Sequence, residues 1–274
     1  MSPTVVLVIV SVPLLVAALD WAEQRIGSTR AGWISSFPIV GAPALLLITL
    51  LHGAAFGAKA GLNAAVGVLG WAAFICVYRF GGGIAKSRWA GTGKVCASLI
   101  AWLGGAVLVH ATPVSTALGV LVLAGAIVLG AVYGRITNLS DERAGSALGA
   151  RVMFALTLVL STVIASNVGG ERVGGLLTTF PIVSSALLIP VTWRGNGKQA
   201  VDMSSGMLIA GPALALFMLV VAMLLDRRWP IGAAFGAALG AAVGVHVAMW
   251  EFQVWRSRRD SPGSNSNSSD RFPT

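Results

Sequence analysis

The sequence predicts an all-α polytopic membrane protein of nine transmembrane helices, built as two inverted four-helix repeats around a linker helix. Composition is the first reason: of 274 residues, 56% are apolar and only 11% charged, with a mean hydropathy of +0.82. The second is segment length, since nine apolar runs can be fitted to a hydrocarbon core of about 30 Å at 1.5 Å per helical residue. The third is a duplication, in which Ser35-Ser36-Phe37-Pro38-Ile39-Val40 returns as Thr178-Thr179-Phe180-Pro181-Ile182-Val183.

The predicted spans are 4–20, 36–52, 60–80, 92–111, 114–134, 148–168, 178–193, 199–225 and 229–250. None alternates apolar and polar residues with a period of two, which disfavours a β-barrel and leaves helices. No basic residue precedes the first span and Arg25 and Arg30 follow it, so it reads as an uncleaved helix with its N-terminus outside. With that orientation only Lys59, Arg172, Arg227 and Arg228, of 19 Lys and Arg residues, fall in outer loops. The net charge of +9 is then a signal of topology and not a footprint for nucleic acid. Trp21, Trp33, Trp89, Trp193, Trp229, Trp250 and Trp255 fall at or near predicted helix ends, where indoles favour the interface. The divisions that follow are 1–112 for the first repeat, 113–137 for the linker helix, 147–255 for the second repeat and 256–274 for a disordered cytoplasmic tail.

The duplication extends beyond the motif. Gly32 matches Gly175, the set Lys59, Asn63 and Gly67 matches Lys198, Asp202 and Gly206, and Arg88-Trp89 matches Arg228-Trp229. The single linker helix turns the second copy over, so the first motif is expected toward the cytoplasm and the second toward the outside. Inverted repeats are a recurrent build of secondary transporters, because two equivalent halves can exchange inward-open and outward-open shapes.

Each motif is expected to start a helix, with proline in the first turn and Ser or Thr capping free N–H groups. The helices that follow, 38–52 and 181–193, span only about 20 Å, so each is expected to begin below the membrane surface. A helix N-terminus at that depth suits an anionic group, and paired hydroxyls add hydrogen bonds or ligate a cation; simple capped turns account for the same residues. Ser35, Ser36, Thr178 and Thr179, with Asn63 and Asp202, are therefore the candidates for binding a substrate or ion. The i, i+4, i+8 spacing puts Lys59, Asn63 and Gly67 on one helical face, as it does their counterparts. Asp202, expected to pair with Lys198, is a candidate for proton coupling, although a snorkelling Lys and a first-turn Asp read equally as ordinary boundary residues. His246, the deepest group that titrates near neutrality, is the second coupling candidate. Gly232, Gly236, Gly240 and Gly244 form a close-packing stripe, either between the repeats or in a homodimer.

Several chemistries are excluded by what the residues lack. Gly91-Thr92-Gly93-Lys94 has Val95 where a phosphate loop needs Ser or Thr, and no strand precedes it. Cys76 and Cys96 have no metal-ligand spacing with the three histidines. No catalytic residue, metal or cofactor is expected. The expected partners are the bilayer and a small solute or ion, with no nucleic acid.

Each half, with its small-residue turn bearing Phe-Pro and a polar turn leading into a third helix, resembles the GlpM-like family of small four-helix bacterial membrane proteins. The second half is the closer match, through Gly175-Leu176-Leu177-Thr178-Thr179-Phe180-Pro181 and then Asp202 and Gly206. That resemblance leaves the linker helix outside it, and the Ser-Ser variant of the first half departs from it. It implies a protein of the bacterial inner (cytoplasmic) membrane without assigned catalytic residues or substrate; the charge count and nine spans place the C-terminus inside. One family member is linked to exopolysaccharide production. The expected function is a secondary transporter or channel-like protein for a small solute or ion. The alternative is a non-transporting scaffold or accessory subunit for envelope or exopolysaccharide assembly.

Overall fold

A computed structural model describes residues 10, 13–18, 21, 25, 28–35, 37–80, 88–134, 148–193 and 197–259. Among these every regular element is an α-helix: α1 (Ser28–Ser35), α2 (Gly41–His52), α3 (Ala54–Phe80), α4 (Arg88–Ala111), α5 (Thr116–Tyr133), α6 (Leu148–Thr178), α7 (Ile182–Trp193), α8 (Gly197–Asp226) and α9 (Ile231–Arg259). The protein is an integral membrane protein, since α3, α5, α8, α9 and Trp89–Ala111 of α4 are each long and apolar enough to cross a bilayer.

The centre is the pair α3 and α8, which share the most extensive helix interface. Both are apolar around their whole circumference, the pattern of a helix enclosed by others. They run antiparallel. Gly61 faces the Met218 carbonyl and Ala222, Gly211 faces the Trp71 ring, and Arg79 donates to the Val201 carbonyl at 3.1 Å and the Ser205 hydroxyl at 2.5 Å. Small residues let the backbones approach closely, which is the main attraction available when the surrounding solvent is itself apolar. α4 and α5 lie outside this pair. Their large side chains Ile100, Leu103, Val107, Leu121 and Val128 are exposed, as lipid-facing positions should be. Ser115 caps α5 by accepting the Leu118 N–H at 3.2 Å.

α6 is two helices. Gly170 has φ 68° and ψ −163°, a region open essentially to glycine alone. The chain folds back there, and a Cβ at Gly174 would stand 2.9 Å from the Ser166 Cβ. In a straight helix those residues would be about 12 Å apart. The stretch 171–178 therefore returns into the protein, breaks at 179–181, and continues as α7. The first half has the same build: α1 runs for 8 residues and α2 for 12, matching the 8 residues of 171–178 and the 12 of α7.

This build changes the count of spans. α2 and α7, expected as transmembrane segments in their own right, are each 12 residues, about 18 Å and too short to cross. Five described helices are long enough, or six if Ala155–Thr178 and Val183–Trp193 form one broken span. The predicted first span lies mostly outside the described residues, although Val16 belongs to one buried apolar cluster with Val40, Ala44 and Leu158. The start of the predicted disordered tail is helical. α9 runs on to Arg259 because Gln253 donates to the Gly130 carbonyl at 2.7 Å and Arg256 to that of Ala131 at 2.5 Å, while three arginines in its last turn offset the helix dipole. The rest of the tail lies outside the described residues.

The ends of the helices form two polar groups. At one end Lys59 pairs with Glu171 at 3.6 Å, and Arg172 donates to the His110 carbonyl at 2.7 Å. At the other, the Trp193 indole donates to Thr92 at 3.2 Å and Phe80 meets Tyr133 edge-on at 5.3 Å. It follows that α1–α2 and 171–193 pass through the fold in opposite directions, because His52 bonds Ser166 near the first end and Trp193 lies at the second.

Candidate functional site

The two Phe-Pro motifs meet. Ser35, Phe37 and Pro38 from the first, and Thr178, Thr179, Phe180 and Pro181 from the second, line one cavity of about 40 Å³. The sequence expects the motifs to open toward opposite sides of the membrane while Ser35, Ser36, Thr178 and Thr179 converge near the pseudo-symmetry axis; the two broken helices, running antiparallel, bring both breaks to this one cavity. Ser36 lies outside the described residues.

The hydroxyls of Ser35, Thr178 and Thr179 do not cap the following helices. Ser35 and Thr178 instead close the preceding ones, and each donates to the carbonyl three residues back: Ser35 to Gly32 at 2.8 Å, Thr178 to Gly175 at 2.6 Å, and Thr179 to Leu176 at 2.8 Å. The physical reason is that proline permits a helix start but does not require a capped one, whereas a Ser or Thr in the last turn finds a carbonyl within reach. Val40, which precedes α2, makes no side-chain cap.

Two residues of the site went unread in the sequence. Ser184 lines the cavity and accepts the Trp71 indole N–H at 3.2 Å. Ser184 stands four residues after Phe180, where the first copy has Gly41 four after Phe37. That pair was the available signal. Gly41 leaves room for the Thr178 carbonyl, which would come within 2.8 Å of a Cβ there. Phe180 is fixed by an edge-on contact with Trp102 at 4.6 Å.

Asn63 and Asp202 are buried but do not line the cavity. They lie in the seams where the short half-helices dock on the central pair. A Cβ on Gly175 would run into the Ala60 carbonyl and meet the Asn63 Cβ at 2.9 Å, Gly67 leaves space for the Thr179 hydroxyl, and a Cβ on Gly32 would run into the Met203 carbonyl beside Asp202. Asn63 Nδ2 donates to the Lys59 carbonyl at 2.8 Å. The repeated faces are thus exchanged seams: 171–178 of the second half packs on α3, and α1 of the first half packs on α8. The ion pair expected of Lys198 has its visible counterpart at Lys59, which pairs with Glu171, while Lys198 is exposed and Asp202 buried.

His246, on α9, does not line the cavity but touches Phe37, which does. It is 7% exposed, stacks on Trp33 at 4.1 Å and 13°, and meets Phe37 edge-on at 5.2 Å. Its Nδ1 has no hydrogen-bond partner among the described residues. Trp33, expected at the interface, is instead half-buried between His246 and Trp250. A Cβ at Gly232, Gly236, Gly240 or Gly244 would meet none of the described residues. Ala234, Ala238 and Ala242 on the same helix are fully buried. Among the described residues no three His, Cys, Asp or Glu side chains are grouped to hold a metal.

No protein-family model, curated protein or solved structure matches the chain.

Proposed function

We propose that this chain is a transporter or channel-like conduit for a small solute or ion, formed by two inverted repeats and residing, with its C-terminus inside, in a bacterial inner membrane. The observation that carries this reading is the pair of antiparallel broken helices, whose breaks share one hydroxyl-bearing cavity at the middle of the fold. Interrupted helices expose backbone dipole ends only where protein or water receives them, and paired half-helices are a common way to place a polar site at mid-membrane. The cavity leaves room for a few water molecules. On this reading the nine predicted passes are retained with α1–α2 and 171–193 each counted as one interrupted pass. No reaction is assigned. The likeness to the GlpM-like proteins belongs to this proposal and adds no substrate.

The test is access to the break. In a background with Cys76 and Cys96 replaced by Ser, Val183→Cys should react with a membrane-impermeant thiol reagent added from either side. Protection from both sides under all conditions would remove the conduit. A second reading, a membrane scaffold or accessory subunit, is favoured by the unfilled glycine face of α9. It requires that Gly236→Leu abolish function while Thr178→Val does not.

A further inference from the structure

Four hydroxyl side chains surround the cavity between the breaks: Ser35, Thr178, Thr179 and Ser184, each at most 5% exposed. In three of them the hydroxyl hydrogen is engaged by a carbonyl of the same helix. A hydroxyl held in that way turns only lone pairs to its surroundings. The C-terminal ends of α1 and α6 also meet here, and such ends carry partial negative charge. The N-termini of α2 and α7 oppose this, but their supply of donors is reduced. Pro38, Pro43 and Pro181 have no N–H, and the N–H groups of Ala42, Ala44 and Ser185 already bond the carbonyls of Pro38, Val40 and Pro181. The hydroxyls of Ser35, Thr178 and Thr179 thus offer acceptors, beside first-turn N–H groups of Val40, Gly41, Val183 and Ser184.

Size and charge narrow the ligand. Among the described residues no Asp, Glu, Lys, Arg or His lines the cavity, and hard divalent cations demand carboxylates or a nearly complete water shell. The volume of about 40 Å³ admits about three water-sized spheres at 10–15 Å³ each. We infer that the cavity binds one monovalent alkali cation through the hydroxyl oxygens of Ser35, Thr178 and Thr179, with water completing its shell. This inference rests on the conduit reading and names the ion that the conduit handles.

The experiment uses the purified full-length chain. Its thermal unfolding is followed at constant ionic strength in NaCl, sodium gluconate, KCl and choline chloride. The inference expects the midpoint to rise saturably with Na⁺ or K⁺ whichever anion is present, and to stay flat in choline chloride. Thr178→Val should lose the rise and Thr178→Ser should keep it; if Thr178→Val does not fold, Ser35→Ala serves in its place. A rise that follows chloride, a rise shared equally by the Val or Ala variant, or no rise with any salt would overturn the cation site. The thiol-access test on Val183→Cys, run on the same preparation in liposomes, separates the two claims. Access from both sides without a cation effect would sink the ion assignment alone, and protection from both sides would sink the conduit.

Discussion

Gly175 and Gly236 illustrate how one residue type can do opposite things in a membrane protein. At Gly175 the missing side chain is what lets the half-helix 171–178 lie on α3, against the Ala60 carbonyl and Asn63. Gly175→Val should cost about 1–3 kcal/mol by overpacking, whereas Gly236→Val, on the open face, should leave the unfolding midpoint of the solubilised monomer unchanged. His246 offers a second test at this scale. Its ring is stacked and its Nδ1 unpartnered, so shape matters more to the fold than hydrogen bonding. His246→Phe should keep most of the stability, and His246→Ala should lose about 0.5–1.5 kcal/mol of ring pairing together with the cavity term, as read by thermal denaturation. The sequence showed His246 as deep and titratable. It hid Trp33, because a tryptophan near a predicted boundary looks the same whether it faces lipid headgroups or a buried imidazole.

Gly170 decides the shape of an element. Its positive φ folds a helix of 31 residues into an ascending arm and a returning half-helix. Gly170→Ala should destabilise by about 1–3 kcal/mol, because only glycine occupies that φ/ψ region without strain, and it should also shift the labelling rate of a cysteine placed at Val183. Hydropathy could not show this turn, since a window average sees apolar composition and not direction. The same blindness made spans of α2 and α7, which are apolar enough to cross but too short. The Phe-Pro repeat did reveal where the chain breaks, though not that the hydroxyls close the helix before the break. On α9 the sequence offered two stripes with a period of four, glycines at 232–244 and alanines at 234–242. These lie about 200° apart on the helix, so they face opposite ways. The alanines pack because a methyl group brings dispersion contacts that a glycine lacks.

Over the whole molecule, the composition and the internal duplication made the class legible, an all-helical membrane protein with related halves. The predicted inverted repeats already set α3 and α8 in opposite directions, but the pairing of these two helices at the centre and the exchange of half-helices between them were not legible. Both depend on which faces meet, and every face of those two helices is apolar. One measurement tests the arrangement of the ends. Cysteines at Lys59 and Asp226 should label from one side of the membrane, and cysteines at Lys198 and Arg258 from the other. A split within the first pair would contradict the antiparallel packing of α3 against α8, and a split within the second that of α8 against α9.

The exchanged seams have a consequence for how the protein is made. α3 leaves the ribosome long before the residues it is to embrace, because its partners 171–178 and α8 come from the far half of the chain. During synthesis the newly inserted first half must wait in the lipid with Asn63 and its glycine-lined faces uncovered, dependent on the insertion machinery for shelter. Severing the chain between residues 134 and 148 would therefore yield two fragments that are degraded when produced singly and rescued when produced together.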